Sequence, residues 1–175
     1  MKKILLATLV CLPITGFAAS ENTIQFQGEV TDQTCSVAIN GMEANPTILL
    51  PTVPASALDA SAKVAGLTPF TISLTGCTAS ATGDQNVDTV FVANNLTADG
   101  RIGNTGDAEN VTLQLVDPAA ATTALDVTGT TGAPGLVIKK DAETASYDFG
   151  VQYYAEGAAK AGSVLGSVQY AVSYK

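Results

Sequence analysis

The chain has 175 residues, 46% hydrophobic and only 14% charged, with sixteen acidic side chains against eight basic ones. Its net charge of −8 argues against nucleic acid and anionic lipid as partners, because both require clustered Lys and Arg. Histidine is absent, which removes the commonest general base and any Ser–His or Cys–His nucleophile pair.

Residues 1–18 read as a secretory signal peptide. Lys2 and Lys3 form a basic start, residues 4–12 a short apolar core, and residues 13–18 run into small side chains. Gly16 and Ala18 stand at −3 and −1 of a cut after Ala18, and cleavage one or two residues later also fits. The apolar run is too short to span a bilayer. The expected product is exported, and soluble or held outside by other proteins. It keeps 157 residues, one domain by length, with six basic and sixteen acidic side chains, or −10.

Of three cysteines, Cys11 leaves with the signal peptide, and Cys35 and Cys77 remain. One pair in an oxidising compartment makes a disulfide the default. Closing that loop stabilises a fold by roughly 4 kcal/mol in the chain-entropy model. A metal site is a poor alternative, since two thiolates without histidine rarely close one.

The remaining chain reads as short strands joined by turns. Residues 20–31 alternate Ile24, Phe26, Gly28 and Val30 against Thr23, Gln25, Gln27 and Glu29. Residues 35–39 continue as a strand, and 47–50 form a brief apolar one stopped by Pro51. Residues 55–65 suit a helical turn or a loop equally. Residues 68–76 alternate Phe70, Ile72 and Leu74 against Thr71, Ser73 and Thr75, and deliver Cys77. Further strands fall at 87–93, 111–116, 135–139 and 146–155, with a turn at Asp117-Pro118 and a loop at 128–135. Without amphipathic helices for parallel βαβ units, this pattern predicts an antiparallel sandwich.

The last stretch carries the clearest alternation. Residues 162–174 place Gly162, Val164, Gly166, Val168, Tyr170, Val172 and Tyr174 on one face. Ser163, Leu165, Ser167, Gln169, Ala171 and Ser173 occupy the other. As one strand they span roughly 43 Å, against about five or six residues for an ordinary strand. That fits a terminal sandwich strand, or one built to be handed between partners.

The remaining motifs offer little chemistry. Asp84/Asp88 and Asp107/Glu109 are carboxylate pairs set among Gly, Asn and Thr, which reads as solvated turns. Residues 100–106 are glycine-rich but have no phosphate-binding Lys, and read as a loop. The Asp and Asn residues of 99–110 lack the spacing of a calcium loop. Asn95-Leu96-Thr97 and Asn110-Val111-Thr112 match a glycosylation sequon, a short pattern with many chance hits. Tyr147, Phe149, Tyr153 and Tyr154 read as core and edge packing.

Four motifs in order resemble the chaperone–usher pilins of the type 1 fimbrial major-subunit kind. Phe26-Gln27-Gly28-Glu29-Val30 followed by Cys35 resembles that family's N-terminal signature. The run from Phe70 to Gly76 with Cys77 resembles its second-cysteine strand, and the run from Asn110 to Asp117 a later strand. Gly162 and the penultimate Tyr174 resemble the terminal motif that periplasmic chaperones bind.

The resemblance covers nearly the whole exported chain. It implies an all-β, incomplete immunoglobulin-like antiparallel β-sandwich that lacks its final strand and carries one disulfide. Residues 19–27 become a donor-strand extension with Asn22, Ile24 and Phe26 as plugs, and residues 28–175 the pilin domain. Gly162, Val164, Val168, Tyr170, Val172 and Tyr174 become the groove and chaperone-binding strand. The family's extension carries a small glycine a few residues before the Phe. Asn22 stands there in this chain, which leaves open how strand exchange starts and how many pockets it engages.

The implied function is a structural subunit of a bacterial fimbria on the cell surface, polymerising by donor-strand exchange and supporting adhesion. It is not an enzyme, and it needs neither cofactor nor metal. The implied partners are other copies and related pilins, a periplasmic chaperone, an outer-membrane usher and a host receptor met by the assembled fimbria. A minor or adaptor subunit, or a small surface carbohydrate-binding module, is the alternative.

Overall fold

Runs of β-branched and aromatic residues broken by Gly, Pro, Asn and Asp favour strands over helices, and the described residues follow that preference. The computed structural model describes Val30, Gln33, residues 35–43 and residues 45–175. Residues 31–175 form one unit and residues 1–30 another. The expected signal peptide and the 20–29 alternation, including Asn22, Ile24 and Phe26, lie outside the described residues.

Eight strands are formed among the described residues: β1 (Ser36–Ile39), β2 (Val64–Thr75), β3 (Gln85–Ala93), β4 (Ile102–Gly103), β5 (Val111–Val116), β6 (Ala133–Ile138), β7 (Ala145–Ala155) and β8 (Val168–Tyr174). They build two antiparallel sheets, ordered β1-β2-β7-β5-β4 and β6-β3-β8. Short 3₁₀ turns at Ala55–Leu58 and Pro118–Ala120 supply the helical content. Pro118 opens its turn, and the Asp117 carboxylate caps it by accepting from Ala119 N.

The core lies between the sheets. Phe70, Ile72 and Leu74 of β2, Phe149 and Val151 of β7, and Leu113 and Leu115 of β5 face Val87 and Phe91 of β3 and Leu136 and Ile138 of β6. Phe149 packs edge-on to Phe91 at 5.4 Å between ring centroids, joining the sheets. Cys35 and Cys77 are bonded, with Cα atoms 4.2 Å apart, tying the start of β1 to the end of β2.

Three stretches depart from the sequence reading. Residues 47–50 are extended but belong to no sheet. Pro46 and Pro51 bracket them, and proline has no N–H for a ladder. The glycine-rich 100–106 stretch contains β4, which pairs Ile102 with Leu113 and Gly103 with Thr112. The terminal strand covers Val168–Tyr174 only. Residues 162–167 lie against the 104–108 loop and bond to it instead of to a neighbouring strand.

Candidate functional site: an apolar groove between two chain segments

Two sheet features open one side of the sandwich. β8 pairs along its length with β3, from Ala93↔Val168 to Val87↔Tyr174. Strand order places β8 at a sheet edge. Among the described residues, no strand pairs with its other side. The opposite boundary is the segment after β1. Asn40 and Gly41, both at positive φ, form a tight reversal closed by mutual Ile39–Met42 backbone bonds of 2.9 Å. Beyond that reversal, residues 45–50 run along the open side.

Between these boundaries lies a groove of about 840 Å³. Glu43, residues 45–48 and Leu50 form one wall and Gly166–Tyr170 the other. Phe70, Phe91, Ile102, Leu113, Leu115 and Val151 line the floor. The floor is therefore core, contributed by both sheets. Ile48 and Leu50 pack onto that core, while Leu49 between them is 84% exposed. Residues 45–50 make no backbone hydrogen bond to any described residue. A well-packed interior leaves few voids larger than a water molecule, and a single large-to-small core substitution opens only about 150 Å³. A groove this size, apolar at its base and flanked by bare backbone, has the shape of a missing strand.

No protein-family model matches the chain. Curated relatives do. Over their whole lengths the chain is 39% identical to the F17 fimbrial protein of Escherichia coli, across 184 aligned residues. It is 34% identical to the major fimbrial subunit SMF-1 of Stenotrophomonas maltophilia strain K279a, covering 95% of this chain and 99% of that one. A solved chaperone–usher pilus structure superposes with a TM-score of 0.60 at 13% identity, covering 93% of this chain and 100% of the other. The chain belongs to the chaperone–usher pilin family.

This pilin is a structural fimbrial subunit, exported and assembled into surface fimbriae. The groove is the gap in its immunoglobulin-like sandwich. Of the residues expected there, Val168 and Tyr170 line it. Val172 and Tyr174, further along β8, are half-buried against the same core. Gly162 and Val164 line a separate cavity of about 330 Å³ with Leu58, Val111 and Tyr153. Gly162 lies so close to Ala108 that a Cβ there would meet the Ala108 backbone nitrogen.

The carboxylates singled out in the sequence hold the pilin together. Asp84 bonds Lys139 Nζ at 2.8 Å and accepts from Lys140 N. Those bonds hold its carboxyl below the usual range. Asp88, mostly buried, pairs with Lys175 at 2.5 Å. Asp107 accepts from Ser163 Oγ at 2.9 Å, and Glu109 pairs with Lys160 at 2.5 Å. Among the described residues no group of three or more His, Cys, Asp or Glu side chains is placed to hold a metal ion.

The aromatics serve packing. Tyr147 donates to Asp117 Oδ2 at 2.7 Å. That bond, with burial second, pushes its phenol above its ordinary pKa. Tyr153 donates to Pro51 O at 3.2 Å, anchoring the end of the 45–50 segment. Arg101 lies 3.8 Å above the Tyr154 ring and donates to Glu156. Sequence reasoning missed the wall formed by residues 45–50 and the contribution of Phe91 and Ile102 to the floor. The available signal was the short apolar run at 47–50, read as a strand.

Proposed function

We propose that this pilin polymerises head to tail by donor-strand exchange, its groove receiving residues 19–27 of another copy. The groove itself carries the reading: about 840 Å³ of core-floored space between two chain segments. An inserted strand gains ladder hydrogen bonds worth about 0.5–1.5 kcal/mol each. Ile24 and Phe26 add about 1.5–3 kcal/mol apiece on burial. Because one copy's extension enters another copy's groove, the contact is heterologous and the product an open filament.

Before assembly a periplasmic chaperone strand occupies the same edge of β8, engaging Val168, Tyr170, Val172 and Tyr174. The outer-membrane usher then exchanges it for the next subunit. The filament presents the cell to host surfaces. No catalytic step belongs to this reading.

Deletion of residues 19–27 is the test. The variant is expected to reach the periplasm at ordinary levels, held by its chaperone, and to leave the cell without filaments of this subunit. Filaments of ordinary length from the deletion, seen by electron microscopy of surface-sheared material, would overturn the reading.

A further inference from the structure

The groove wall at Gly166–Tyr170 continues back into residues 163–165, whose Val164 lines the separate cavity. The wall borders an empty space over an apolar floor, so closing the gap would remove apolar surface from water. Residues 162–167 have no ladder partner to resist that closure. What resists it is a set of polar bonds to the 104–108 loop and to Asn94.

Those bonds converge on Asn104. Its Oδ1 accepts from Leu165 N and from Gly106 N, each at 2.8 Å. Its Nδ2 donates to Ala108 O at 2.8 Å and to Ser163 O at 3.4 Å. Thr105 N donates to Leu165 O at 2.8 Å, and Ala108 N to Ser163 O at 2.9 Å. Further along, Asn94 Nδ2 donates to Ser167 Oγ at 2.8 Å, and Gln169 Nε2 donates to Asn94 Oδ1 at 3.1 Å. Ser163 and Leu165 are thus tied to the 104–108 loop, and Ser167 and Gln169 to Asn94 at the groove rim, while Gly166–Tyr170 and Asn94 line the groove.

We propose that Asn104 is a positioning residue for strand uptake: by fixing residues 163–165, the lead-in to the wall at Gly166, it holds that wall away from the opposite one while the groove is empty. The inference rests on the donor-strand reading. Asn suits the task because one short side chain offers two donors and a two-lone-pair acceptor. Aspartate keeps the acceptor bonds and loses both donations. Alanine loses all four bonds. Once a strand is inserted, the wall is held by packing and by new ladder bonds, and the contribution of Asn104 shrinks.

The test compares the full chain with its Asn104→Ala and Asn104→Asp variants. The probe is a fluorophore-labelled synthetic peptide of residues 19–27. Uptake is followed by anisotropy, and melting temperature is measured with and without saturating peptide. Asn104→Ala is expected to take up peptide about fivefold more slowly, the equivalent of one hydrogen bond's net worth. Its empty form should lose about 3 °C more than its loaded form, the shift expected from about 1 kcal/mol in a domain of this size.

Asn110→Ala is the control, since Asn110 Nδ2 donates to Ala158 O away from the groove. It should lower both melting temperatures alike and leave uptake unchanged. If Asn104→Ala does not fold, Asn104→Asp carries the same comparison. Equal losses in both forms with unchanged uptake make Asn104 a structural residue only and overturn the inference, leaving the donor-strand reading standing. A wild-type chain that takes up no peptide overturns that reading, and the inference with it.

Discussion

Gly162→Ala separates two explanations for the glycine at the start of the terminal alternation. One is recognition by a partner; the other is packing within the subunit. A Cβ at 162 would meet the backbone nitrogen of Ala108, with Asp107 C at 2.6 Å and Ala108 Cα at 2.7 Å. Backbone atoms cannot rotate aside, so the 162–167 segment or the 107–108 loop must shift. Overpacking of this kind costs about 1–3 kcal/mol, and a backbone obstacle puts it in the upper half of that range. The reduced entropy of the unfolded chain returns about 0.4–1 kcal/mol. The net loss is about 1.5–2 kcal/mol, or about 3–8 °C in melting temperature.

Gly83→Ala is the matched control, because a Cβ there has nothing within 4 Å. It should melt at the wild-type temperature or slightly above. The assay is thermal unfolding followed by circular dichroism, with the disulfide intact. A Gly162→Ala chain melting within about 1 °C of wild type would refute the packing explanation and move the glycine's role to a partner surface.

Two further outcomes are expected. Replacing Cys35 and Cys77 together by Ser frees a loop with a sequence separation of 42, and should lower unfolding free energy by about 4 kcal/mol in urea titrations; an unmoved midpoint would refute this. Asp126 governs part of the acid response: partial burial pushes its carboxyl up, but hydrogen bonds from Thr128, Thr130 and Thr131 outweigh that and hold it well below the ordinary range. A depressed folded pKa contributes stability above the unfolded value of about 4, lost as pH falls below it. Asp126→Asn should therefore melt lower at neutral pH and show a flatter loss of stability below about pH 4; an unchanged acid slope would count against it.

Much of the fold was legible because local pattern and tertiary role agreed. Residues 111–116 alternate, end at Asp117-Pro118, and form β5 with those bounds. Phe70, Ile72 and Leu74 share a strand face and are buried together. The two exported cysteines had one pairing available, and they make it. Legibility failed where strand identity depends on a neighbour. Residues 47–50 form an apolar run and 162–167 alternate, as strands do, yet such patterns report only which side chains can be buried. They do not report whether the backbone has a ladder partner. β4 is the converse: two residues among glycines, recruited only because Leu113 and Thr112 stand opposite.

The terminal segment shows why its alternation runs past the end of the strand. From Val164 on, its even side chains pack on the core, which fixes the period there, while Gly162 abuts the 107–108 backbone. Its odd residues change task midway. Ser163, Leu165 and Ser167 are tied to the loops at 94 and 104–108, whereas from Val168 onward the backbone itself is held by β3. The wall at 166–170 straddles that change, so it is fixed on its far side by two mechanisms and left open on its near side. An exposed edge is ordinarily an aggregation hazard. Here a chain with a net charge of −8 repels its copies at close range. Association is then favoured only where apolar contact outweighs that repulsion, and the groove, floored by Phe70, Phe91, Leu113 and Leu115, offers such a contact.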